Sequence, residues 1–256
     1  MAKLFPLPRE DLNIIKINPF RPATLAERKY FYEKEFNFKK AMYWFGNKTP
    51  QLIAIDAGTE TKTLKNKSWN NTLFYCYLSE LKQKIKKYLP EDIYYDRNIY
   101  KKPELRFKNL QHQNFLSNKN VVGQELIFDV DADNISCIHP KNELVCNLCL
   151  QKTWQKTTAL SEELKNLGFK KIKIVYSGKG FHLHIQDEKA YKFTKFDRIN
   201  LIKKLSFYPI DSWVSVGNIE LVRFPFSLNA QVSRIAIPIK NNFNSRLTIP
   251  KFLKNK

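Results

Sequence analysis

The stretch Glu125-Leu-Ile-Phe-Asp-Val-Asp-Ala-Asp133 decides how this chain is read. An apolar strand in an acid-poor sequence ends in aspartates at every second position, Asp129, Asp131 and Asp133. Side chains two apart on a strand share a face, with Cα atoms roughly 6–7 Å apart. Crowded carboxylates repel and raise one another's pKa unless a cation sits among them. Magnesium is usually held by one or two carboxylates together with substrate phosphate oxygens. Asp129 and Asp131 follow the apolar lead-in and therefore stand at the rim of a core, where they suit a divalent ion. The plainer alternative is a solvated strand end with turn-forming aspartates, and for Asp133 it serves equally well.

Just downstream stand Cys137-Ile-His139, then six residues, then Cys146-Asn-Leu-Cys149. Three thiols and one imidazole complete a tetrahedral set, and Cys-x-x-Cys is a usual zinc half-site. Four protein ligands leave no open position, so the expected role is a structural knuckle. Further on, Val175-Tyr-Ser177-Gly178-Lys179-Gly180-Phe-His182-Leu-His184 takes a strand through a glycine turn into a second strand. Glycines on both sides let backbone N–H groups approach an anion, and Ser177 and Lys179 add a hydroxyl and a charge. His182 and His184 alternate onto one face of the second strand, within reach of what the turn binds. Alone, the segment also reads as a simple hairpin. Asp211 and, twelve residues later, Arg223-Phe-Pro-Phe-Ser-Leu-Asn229 mean little singly, as a cap residue and a surface charge.

Around these motifs the periodicity predicts α+β architecture. Residues 24–45 read as one amphipathic helix with an aromatic face. A second helix, capped by Asn71 or Thr72, places Phe74, Leu78, Leu81, Ile85 and Tyr88 on one side until Pro90. The Lys/Asn-rich stretch 61–71 between them reads as an exposed loop. Strands are expected at 93–100, 125–131, 171–177, 181–186 and 233–239, and helices at 144–167 and 190–207. In the last helix Phe193, Phe196, Ile199, Ile202 and Leu205 face the core. Helices and strands alternate, but short loops and adjacent strands favour α+β over a doubly wound sheet. The segment 212–222 is ambiguous.

The 256 residues carry 44 Lys+Arg against 24 Asp+Glu, a formal net charge of +20. Such a balance favours a polyanionic partner, because Lys and Arg that neutralise phosphates release counterions. No stretch approaches the roughly 18 apolar residues of a membrane helix, and the start has no continuous apolar core of a secretory signal. Three of the four cysteines lie within 13 residues, unlike a disulfide framework. These features together describe a soluble, intracellular, basic protein.

In order and spacing, these motifs resemble the catalytic (small) subunit of archaeal and eukaryotic DNA primases. That pattern is a strand ending in Asp-x-Asp, a zinc knuckle, Ser-Gly-x-x-Gly-x-His, and a third Asp followed twelve residues on by a basic residue before Pro-x-Ser-x-His. Here the corresponding positions are Asp129 and Asp131; Cys137, His139, Cys146 and Cys149; Ser177 to His182; Asp211; and Arg223 to Asn229. Three departures stand out. The glycine turn holds one residue, Lys179, where the family has two, and the last histidine is Asn229. About thirty residues separate His182 from Asp211, where many relatives insert a helical subdomain.

The resemblance implies one catalytic domain over residues 1–256, with a zinc knuckle at about 137–149 and an RNA-recognition-like central sheet. It implies template-directed synthesis of short primers from nucleoside triphosphates. Asp129, Asp131 and Asp211 would hold two Mg2+ or Mn2+ ions, and Cys137, His139, Cys146 and Cys149 a structural Zn2+. Ser177, Gly178, Lys179, Gly180, His182, Arg223 and Asn229 would hold the triphosphate, and Asp96 would touch the ribose. The implied partners are a single-stranded DNA template and primer, and a large subunit carrying an iron–sulfur domain. No four-cysteine cluster site of that kind is present, so that domain belongs to another chain or a missing segment. The implied location is the cytoplasm of a prokaryote, an archaeon above all, or a eukaryotic nucleus. Two alternatives remain at this point: a repair- or plasmid-type primase-polymerase, and a non-catalytic zinc-stabilised nucleic-acid-binding protein.

Overall fold

The structure is a computed structural model that describes residues 20–58, 72–109, 120–135 and 145–254. Its strands are β1 (Leu52–Asp56), β2 (Leu73–Tyr77), β3 (Asp92–Asp96), β4 (Asn98–Tyr100), β5 (Val121–Gln124), β6 (Leu126–Asp131), β7 (Ile172–Tyr176), β8 (Gly180–Ile185), β9 (Leu221–Arg223), β10 (Leu228–Asn229), β11 (Arg234–Ile235) and β12 (Ile237–Ile239). The helices are α1 (Leu25–Lys34), α2 (Phe38–Phe45), α3 (Leu81–Tyr88), α4 (Glu104–Asn109), α5 (Asn147–Asn166), α6 (Lys195–Lys204), α7 (Ser212–Val216) and α8 (Lys251–Lys254). Two four-stranded sheets run β2-β1-β3-β9 and β12-β7-β8-β6, with small pairs β4-β5 and β10-β11. All pairings are antiparallel, so the expected α+β class is what the described residues form.

Strand parity positions the site. On β6, Leu126, Phe128 and Val130 enter a core with Leu160, Leu164 and Leu205. Ile127 points the other way, into the core shared with β1, β3, α1 and α2. Because alternate side chains take opposite faces, Asp129 and Asp131 lie on the Ile127 side. The register pairs Asp129 with His182, Ile127 with His184 and Asp131 with Gly180, so the two histidines share that face. α5 packs against β8 and β6 through Leu150, Thr153, Thr157, Leu160 and Leu164, all buried at helical spacing.

Several expectations are corrected. The predicted helix over 24–45 is two helices, because Asn37 leaves the helical conformation and its Oδ1 accepts from Lys40 N–H at 3.0 Å, capping α2. Thr24 and Glu27 form a reciprocal capping box that starts α1. Residues 73–77 are a strand rather than the first turns of a helix. β1 is buried along most of its length and takes its edge partner from this aromatic run, with Leu52 opposite Tyr77 and Asp56 opposite Leu73. Helix begins only at Leu81 and ends at Leu89, which adopts a left-handed conformation just before Pro90. The strand expected over 93–100 breaks at Arg97 into β3 and β4, which join different sheets. Phe196, expected in the core, is 71% exposed. The helix expected over 190–207 starts only at Lys195, after a 3-10 turn at Glu188–Lys192. The ambiguous segment 212–222 holds α7 and the start of β9, and the predicted loop 61–71 lies outside the described residues.

Candidate active site

The glycine turn and the end of β6 close one small cavity of about 190 Å3, with Asp129, Asp131, Ser177, Lys179, Arg223 and Asn229 among its walls. Two local constraints shape it. At Gly180 a Cβ would fall 2.4 Å from Asp131 Oδ1 and from the Val130 carbonyl, so only glycine lets β8 run this close to β6. At Gly178, φ is +112° and a Cβ would meet the Asn229 amide at 2.5 Å. Ser177 N–H donates to Gly180 O at 2.9 Å, and Gly180 N–H returns to Ser177 Oγ at 3.2 Å.

The carboxylates are poorly compensated. Asp129 is buried and its Oδ1 has no hydrogen-bond partner; the nearest base is His182 Nε2 at 3.5 Å. Burial, then the charges of Asp131 and Asp211, hold the Asp129 carboxyl well above the ordinary range. Burial and Asp133 push Asp131 up to about 6, with Lys179 acting the other way. His182 is held well below its ordinary value, by burial first and then by His184, Arg223 and Arg97. Its Nδ1 and Asn229 Oδ1 are likewise buried without partners. A buried, unpartnered carboxylate costs free energy unless it protonates or meets a cation.

Asp211 joins this rim through its backbone, donating N–H to Asp129 O at 2.9 Å. Its Oδ1 instead caps α7, accepting from Trp213 N–H at 2.8 Å. Among the described residues, no group of three or more His, Cys, Asp or Glu side chains is arranged to hold a metal ion. Hard oxygen donors, one of them without a hydrogen-bond partner, make Asp129 and Asp131 a fit for a divalent ion, whereas the Asp211 side chain is turned to the α7 cap. Cys146 and Cys149 bring their sulfurs within 3.2 Å at the start of α5. Cys137 and His139 lie outside the described residues.

Arg223 reaches the cavity from β9 and is held by two residues that sequence reasoning missed. Its guanidinium pairs with buried Asp92 and sits 4.8 Å over the Tyr94 ring. The alternation Asp92-Ile-Tyr94-Tyr-Asp96 was the available signal, since it puts three polar side chains on one strand face. Asn229 spends its amide N–H on Ser177 O at 3.1 Å, so it braces the turn. Two expectations fail here. His184 is fully buried and committed to Glu125 at 3.2 Å, with Tyr95 O–H donating to the same carboxylate at 2.6 Å. Asp96 is equally committed, to Tyr100 O–H at 2.7 Å, Asn98 N–H at 2.9 Å and Arg106 at 3.5 Å. Neither lines the turn cavity.

An uncharacterized DNA primase small subunit-like protein of Archaeoglobus fulgidus is 36% identical over 86% of this chain and 85% of its own length. The chain belongs to the DNA primase small subunit family. The primase small subunits PriS of Thermococcus sibiricus and Pyrococcus abyssi are 28% and 26% identical over 73% and 75% of the chain. The chain spans about half the length of these two, 51% of each. No family model matches it. No helix among the described residues is long and apolar enough to cross a membrane.

Proposed function

We propose that this primase-family chain is a catalytic subunit that makes short primers on a single-stranded template from nucleoside triphosphates. The observation that carries the reading is the buried Asp129 carboxylate, whose Oδ1 has no hydrogen-bond partner, beside Asp131 in a cavity also lined by Lys179 and Arg223. Carboxylates for cations and cations for phosphates, within one small space, are the parts that phosphoryl transfer requires. Asp129, Asp131 and a rotated Asp211 would hold two Mg2+ or Mn2+ ions, which would supply activation of the attacking hydroxyl and charge stabilisation of the leaving pyrophosphate. Lys179 and Arg223 neutralise the triphosphate, and the Ser177–Gly180 turn offers backbone N–H groups to it. Neutral His182 donates a hydrogen bond rather than a charge.

The crossover β6–α5–β7 joins two parallel strands, with β8 inserted antiparallel between them. That arrangement supports an RNA-recognition-like core within one catalytic domain. Cys146 and Cys149, with Cys137 and His139, form the zinc knuckle of this reading, and the relatives called small subunits support a larger partner subunit, which would carry the iron–sulfur domain. A priming assay on single-stranded template, with labelled nucleotides and with or without magnesium or manganese, tests the reading. Products that need the ion and no supplied 3′-end are expected. An inactive protein whose DNA binding ignores ions and nucleotides would leave only a binding module.

A further inference from the structure

Beside the candidate active site lies a larger open cleft of about 750 Å3. Ile219 and Leu221 line both spaces, so the cleft adjoins the carboxylate cavity. Trp213 stands in its wall with 66% of its surface exposed. It lies two residues past Asp211, whose backbone N–H donates to Asp129 O and so holds this segment to the rim. Lys195 brings an exposed ammonium to it. Lys195 bonds only the neutral Asn218 amide at 3.2 Å. Arg198 is buried and donates to the backbone carbonyls of Phe193, Gln124 and Glu125, and buried Arg106 is paired with Glu220 at 2.7 Å and Asp96 at 3.5 Å, so both guanidiniums belong to the scaffold. An exposed aromatic face beside an exposed ammonium takes a base on the ring and a phosphate on the charge, whatever the base.

We propose that this cleft binds a single-stranded nucleic acid, with an unpaired base stacked on Trp213 and the backbone drawn along Lys195. The strand's next base is then delivered past Ile219 and Leu221 to Asp129 and Asp131. Its role as template rests on the function proposed above; its binding does not. The test is an anisotropy titration of a labelled oligo-dT strand with the full chain, without nucleotide, folding being checked by circular dichroism. Trp213→Ala is expected to weaken binding roughly tenfold or more, and Trp213→Phe to stay within about threefold, because a ring still stacks. Tyr43→Ala, an exposed aromatic on α2, is expected to bind like wild type, and Lys195→Ala to flatten the salt dependence. Trp213→Ala within about twofold of wild type, or a Tyr43→Ala loss equal to that of Trp213→Ala, overturns the inference. A chain that binds through Trp213 yet incorporates no nucleotide upholds this inference and removes the catalytic reading. Incorporation together with Trp213-independent binding does the reverse.

Discussion

Asp96 on β3 and Asp129 on β6 are both strand aspartates, both buried, and burial raises the pKa of both. Their surroundings differ in kind. Asp96 has a phenol, a backbone N–H and a guanidinium pulling against its burial, and it belongs to the scaffold. Asp129 has an unpartnered oxygen and two nearby carboxylates that add to its burial. Burial alone therefore does not distinguish the two acids. The distinguishing property is a cost left uncompensated in the ion-free protein, at a place open to a small cavity.

The comparison breaks most decisively at Asp129. Asp129→Ala is expected to cut nucleotide incorporation at least a thousandfold, about 4 kcal/mol of barrier, with the fold intact because an unfavourable buried charge has gone. Incorporation above about a tenth of wild type would remove the residue from the chemistry. At Asp96 the balance reverses. Asp96→Ala is expected to lower stability by roughly 1–3 kcal/mol, since it leaves the buried Tyr100 hydroxyl and Asn98 N–H without their acceptor. Urea unfolding with a midpoint unchanged from wild type would show that the Asp96 network contributes nothing.

A third effect sharpens the contrast between pairing for structure and pairing for ligand. Arg223 is paired with Asp92 yet lines the cavity, so Arg223→Ala should weaken nucleotide binding by roughly 2–3 kcal/mol. Equal affinities in a nucleotide titration would confine Arg223 to the Asp92 pair. The smallest effect is in pH. Asp131 is held at about 6 against an ordinary 3.8, so between those values the native protein keeps a proton that the unfolded chain has released. Stability of the ion-free protein then falls as pH rises from about 4 to about 6 and stays lower above it. Manganese must displace that proton at low pH, so it should raise Tm more at pH 7.5 than at pH 5. Equal shifts at the two pH values would separate Asp131 from ion binding.

How much was legible depended on range. The run of β6, the glycine turn and the helix over α5 were readable because each is specified by neighbours within a few residues. Residues 73–77 were misread, because Phe74, Leu78 and Leu81 mimic helical spacing and only the need of β1 for an edge partner makes a strand there. Phe196 reads as core by its spacing from Phe193 and Ile199, but it lies in the first turn of α6, behind the Thr194 cap, and is exposed. Asp92 and Tyr94 were passed over because their function lies in holding Arg223, far along the chain.

By itself, the sequence determined that Asp129 and Asp131 share one face, because a strand repeats every two residues, and that the chain turns tightly around Lys179, because glycine tolerates what a Cβ would block. It also set the +20 charge, which favours a polyanionic partner. Only the tertiary structure decided which buried polar groups are satisfied. Glu125 and Tyr95 claim His184, Arg106 and Tyr100 claim Asp96, and the backbone of Asp211 is laid against Asp129. Hydrogen bonds and charges act over a few ångströms in space, and distance along the chain carries no information about who will be that near.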